Sequence, residues 1–126
     1  MGLTNAGFAE LSNLCGDVSS PTAFTYLACG TGTTAFAATQ TALVTEITDS
    51  GLARAAATIT RQTTNVSNDT CQYYKAWTAT GTKTVGEVSV HNDPSSGIML
   101  ARTVLSPTKA LTNGDTLTLT YKIVLA

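Results

Sequence analysis

Thr116-Leu117-Thr118-Leu119-Thr120-Tyr121-Lys122-Ile123-Val124-Leu125 is the stretch that decides the fold. Leu117, Leu119, Tyr121, Ile123 and Leu125 alternate with Thr116, Thr118, Thr120 and Lys122. That two-residue period belongs to a strand with one core face and one threonine face. Immediately upstream, Asn113-Gly114-Asp115 signals a turn. Ile98 to Leu105 reads as another strand, ended by Pro107. Asn92-Asp93-Pro94-Ser95-Ser96-Gly97 is a dense turn signal, and Thr82 to His91 before it alternates, with Val88 and Val90 on one face. These two strands are predicted to form a hairpin. Thr70 to Ala79 carries Tyr73, Tyr74 and Trp77 and suits a β-strand. Gln62 to Asp69 is polar and reads as a loop, and Leu52 to Gln62 alternates as one continuous strand.

The first fifty residues are less regular. Thr4 is placed to cap a short helix on which Phe8, Leu11, Leu14 and Cys15 make an apolar stripe, with Gly16 as its stop. That stripe docks on the sheet of its own chain or on a neighbouring subunit, which makes Phe8, Leu11 and Leu14 the candidate assembly contact. Ala23 to Cys29 is apolar on both faces and reads as a buried strand. Gly30-Thr31-Gly32-Thr33-Thr34 follows. A phosphate loop in that place requires a Lys, and a dinucleotide fingerprint requires a third Gly; both are missing, so the segment is a turn. Thr39 to Ile47 fits one or two helical turns or an irregular connection. The sum is one domain over residues 1–126: an N-terminal helical arm (1–20) and a β domain (21–126). The expected fold class is mainly β, an antiparallel sandwich or jelly-roll-like barrel with a short N-terminal helix.

Composition narrows the function. Only 12% of the 126 residues are charged and the net charge is −1. Phosphate backbones are bound by a surplus of Lys and Arg, so no nucleic-acid partner is expected. No apolar run approaches the roughly 20 residues that span a bilayer, so no membrane partner is expected either. The N-terminus shows no basic, apolar secretion signal, and Ala6 stands where myristoylation requires Ser or Thr. Cys15, Cys29 and Cys71 are an odd, widely spaced set that suits a reducing cytoplasm better than a disulfide framework or a zinc site. The sequons Asn65-Val66-Ser67 and Asn68-Asp69-Thr70 are then chance matches. Threonine is the strongest bias, with 25 copies, many as Thr-x-Thr doublets. It coats a pleated surface with polarity but no charge, so identical copies pack with little repulsion.

No constellation carries catalysis. His91 lies near Asp93, but Ser89, Ser95 or Cys71 would have to meet it by long-range folding, and His91 reads as an exposed turn histidine. The eight acids are scattered singly, against the paired carboxylates of a glycosidase. Arg54 and Arg102 can each pair with Glu46 or Glu87, which would be a structural ion pair rather than catalysis. The expectation is a protein that is not an enzyme, with no catalytic, cofactor or metal residues.

Three stretches carry a resemblance. They are Ala28-Cys29-Gly30-Thr31-Gly32-Thr33-Thr34 running on through Thr41-Ala42-Leu43-Val44-Thr45-Glu46-Ile47, then Thr84-Val85-Gly86-Glu87-Val88-Ser89-Val90, and lastly Met99-Leu100-Ala101-Arg102-Thr103-Val104-Leu105 with Asn113 to Tyr121. In order and spacing they resemble small virion proteins of tailed bacteriophages, a group that includes head decoration (cement) proteins and tail-fibre-like proteins. The likeness runs from about residue 23 onward. Glu87-Val88-Ser89-Val90-His91 departs from the group's Glu-x-Gly-hydrophobic form. The resemblance implies a virion structural protein on the phage head: a homo-oligomer, a trimer in the cement case, that bridges subunits of the major capsid protein. Its alternative is a tail module that binds another tail protein or a host glycan, for which Tyr73, Tyr74 and Trp77 are the aromatic candidates.

Overall fold

A computed structural model describes residues 2–126. It contains β1 (Gly2–Leu3), α1 (Asn5–Gly16), β2 (Tyr26–Gly30), β3 (Ala55–Ala56), β4 (Thr58–Gln62), β5 (Thr70–Thr78), β6 (Lys83–His91), β7 (Met99–Leu111) and β8 (Thr116–Val124). The strands form two antiparallel sheets, in the orders β1-β7-β6-β2-β3 and β4-β5-β8. The architecture is a sandwich rather than a barrel. Its core holds Leu27, Cys29, Val88, Val90 and Ala101 of the larger sheet against Tyr73, Trp77, Tyr121 and Ile123 of the smaller.

Alternation sets most of these elements. The predicted hairpin is β6 with β7, and the deciding stretch is β8, paired without a break to β5 from Thr116↔Thr78 to Val124↔Thr70. Three readings need correction. The expected strand from Leu52 to Gln62 is two strands. Ala55–Ala56 pair with β2 and Thr58–Gln62 with β5, so the chain crosses between the sheets at Ala57, whose N–H donates to Thr25 O. Pro107 does not end its strand: β7 runs on to Leu111. Glu87 pairs with Val104 and Val85 with Lys109, so residues 105–108 bulge opposite Gly86 and the ladder asks no N–H of Pro107. Leu125 lies beyond β8 and is 71% exposed.

Helix α1 begins where the sequence places it. Thr4 caps it by accepting from Gly7 N at 2.9 Å, while its own hydroxyl donates to Met99 O. Gly7 lies against β7 so closely that a Cβ there would sit 2.6 Å from Leu100 O. Residues 31–50 contain no helix; they cross the outer face of the larger sheet as an irregular strap whose one ladder contact with it is the isolated bridge Gly30↔Glu46.

Candidate functional site

The strap explains a face that sequence reasoning misread. Alternation along β6 puts Val88 and Val90 into the core, so Glu87, Ser89 and His91 point outward, where the strap buries all three. Glu87 is the peg. Its carboxylate accepts from Gly32 N (3.3 Å), Val44 N (3.1 Å) and Thr45 N (2.8 Å), and meets Arg102 Nε at 2.7 Å. Arg102 also reaches Gln40 in the strap, at 3.3 Å. Both members of the pair are fully buried; backbone donors and Arg102 satisfy the carboxylate, while Arg102 Nη2 has no partner among the described residues. Of the two glutamates open to it, Arg54 takes Glu46, at 2.6 Å, and it ties down the carbonyls of Asp93 and Ser96 in the β6–β7 turn.

His91 is corrected from exposed to buried, with 1% of its surface accessible. Its Nε2 shares a 2.7 Å hydrogen bond with Ser89 Oγ, and Nδ1 has no partner among the described residues. Burial, assisted by the Arg54 charge, pushes its pKa down to about 3. A neutral histidine beside a serine has the parts of a nucleophilic pair, but neither side chain is accessible to a substrate. Cys29 is equally inert: burial, with Glu46 nearby, raises its thiol to about 12. Among the described residues no group of metal-ligating side chains comes together.

What remains are surfaces. Leu11 and Leu14 of the predicted contact turn inward against the core, while Phe8 is 55% exposed on the far side of α1. The two leucines, with Phe24, Ile59 and Leu125, line an apolar groove of about 270 Å³. Of the three candidate aromatics, Tyr73 and Trp77 are core residues, and Trp77 Nε1 donates to Ala53 O at 2.9 Å. Burial raises the Tyr73 hydroxyl above its usual range. Only Tyr74 faces outward. It stands between Thr58 and Thr120, with Gln72 between Thr60 and Lys122, on the outer face of the smaller sheet. Here the Thr-x-Thr doublets of β4 and β8 form one flat, almost uncharged surface.

The sandwich's two margins differ. At one, the chain itself passes from sheet to sheet through Ala57. At the other, the chain passes from β7 to β8 through the turn at residues 112–115, and beyond that turn the two strands leave a cavity of about 290 Å³ lined by Val88, Thr103, Leu105, Leu119 and Tyr121. The 2.8 Å Thr103–Tyr121 hydroxyl bond spans this margin. The sequence gives no sign of it, because margins depend on strand order.

No curated protein matches the chain. A family model described as podophage GP4 fiber I protein gp80 matches residues 9–124. The match takes in most of α1 and every strand from β2 to β8. The chain therefore belongs to this family of bacteriophage fibre proteins and is a virion structural protein.

Proposed function

We propose that this fibre-family member is a non-catalytic component of a podophage tail fibre, working by docking neutral sheet surfaces against copies of itself and against another tail protein. The family match over residues 9–124 carries the reading. Three features support it. The one histidine, the natural general base, is sealed under the strap. The outer face of the smaller sheet is flat and nearly uncharged, which suits a protein contact more than a ligand pocket. Two of the three aromatics that a glycan-binding patch would use are spent on the core, which favours a tail protein over a host glycan as partner.

The head-decoration reading competes through the resemblance alone; its partner would be the major capsid protein. Labelling the protein on intact virions and imaging them separates the two. Label on the tail is expected. Label spread over the head shell, with stoichiometric binding of purified protein to undecorated heads, overturns the fibre reading in favour of a cement.

A further inference from the structure

The four edges of the two sheets are not equal. An edge strand exposes unpaired N–H and C=O groups, and natural sheets blunt it by shortness, charge, proline or a bulge. β1 and β3 are two residues each. β4 is five residues, bears Arg61 and is exposed throughout. β8 is nine residues with no proline, no bulge against β5 and a single charge, Lys122. It also borders the margin with the cavity, where Leu117, Leu119 and Leu105 are only partly buried. The longest edge is thus the least protected one, and it lies beside a stretch of core that the chain leaves partly uncovered.

We propose that β8 pairs antiparallel with β8 of a second copy, centred on Thr120, to make a twofold dimer with one continuous six-stranded sheet. The strand is self-complementary in this register. On the core side, Leu117 faces the partner's Ile123 and Leu119 faces the partner's Tyr121, so apolar residues meet apolar residues on both halves of the strand. On the outer side, Thr116 faces the partner's Val124, Thr120 faces the partner's Thr120, and Thr118 faces the partner's Lys122. The two lysines then stand four residues apart along the strand, roughly 13 Å, beyond the screening length at physiological salt. Pairing of β8 with β4 of another copy would instead bring Arg61 to the interface with Lys122. A twofold contact uses the same edge on both copies, so it closes and does not propagate into fibrils. It predicts a dimer in place of the trimer that the decoration-protein resemblance implies. The proposal stands or falls independently of where in the virion the protein sits.

Light scattering over a concentration series of the full chain tests it. Wild type is expected to reach the mass of two copies. Thr118→Lys sets a like charge opposite the partner's Lys122 twice per interface and is expected to raise the dissociation constant by roughly 2- to 30-fold. Adding Lys122→Glu to that variant is expected to bring it back within about twofold of wild type. Both positions are exposed, and unchanged Trp77 fluorescence checks that each variant folds. In a Cys15→Ser background, Thr120→Cys is expected to form a disulfide-linked dimer on mild oxidation, while Thr116→Cys, which opposes Val124, does not. A single-copy mass at every concentration overturns the proposal. So does an odd copy number, a dimer indifferent to Thr118→Lys, or cross-linking from position 116 as fast as from position 120.

Discussion

His91 shows how one side chain makes stability depend on pH. Its folded pKa, about 3, lies below the ordinary histidine value, so the folded state resists taking a proton that the unfolded chain accepts. The stability it contributes is complete above pH about 6.5 and is lost as pH falls toward about 3. Between pH 7 and pH 5 the loss is about 2 kcal/mol. Asp69 is held below its usual range, chiefly by the Val66 N–H, as Asp49 is by Lys83; these matter only in stronger acid, leaving the upper window to His91. Urea unfolding at pH 7 and pH 5, followed through Trp77, checks the loss, and His91→Gln is expected to flatten it. The Glu87–Arg102 pair makes a steeper claim. Arg102→Met leaves a buried carboxylate without its cation and is expected to cost about 3 to 5 kcal/mol in the same measurement. The four charges of the two ion pairs were legible in the sequence, but which glutamate each arginine takes was not. The burial of His91 was not, because it is imposed by a strap more than forty residues upstream that carries no periodic signal.

Elements were legible in proportion to how local their causes are. Thr4, the Phe8–Leu11–Leu14 spacing and Gly16 sufficed for α1, aromatic β-propensity for β5, and alternation for β6 and β8. The crossing at Ala57 escaped because a single alternating run looks alike whether it serves one sheet or two. The bulge around Pro107 escaped because proline's missing donor ends a strand only where the neighbouring strand needs that donor. Of the predicted contact residues, Leu11 and Leu14 proved to pack on their own chain, while Phe8 stands clear of it. The seating of α1 gives a test in which two effects oppose each other. Ala is a better helix former than Gly by up to about 1 kcal/mol. At Gly7 the new methyl would meet the backbone of β7, 2.6 Å from Leu100 O and 2.9 Å from Leu100 Cα, and backbone cannot step aside cheaply. Gly7→Ala is therefore expected to destabilise by about 1 to 3 kcal/mol despite the better propensity, read from the urea midpoint. Ser12→Ala, at an exposed position on the same helix, is expected to change stability by less than about 0.5 kcal/mol.

For the whole molecule, fold class followed from alternation and short turns, and family membership agrees with the fibre side of the resemblance. The relation of the two sheets did not follow, since it is a matter of strand order. The chain stitches them at both margins, through Ala57 at one and through the turn at residues 112–115 between β7 and β8 at the other, where the cavity lies between the two strands. Thermal breathing should part the sheets at that cavity, away from both stitches. Amides of β8 and of Thr103 to Leu105 are then expected to exchange with deuterium sooner than those of β2 and β6 in a dilute sample, read residue by residue by NMR. A load that pulls β8 sideways off β7 is met first by the Thr103–Tyr121 bond and apolar contact, and by the backbone only at the turn, so the direction in which this domain is pulled decides how much force it bears.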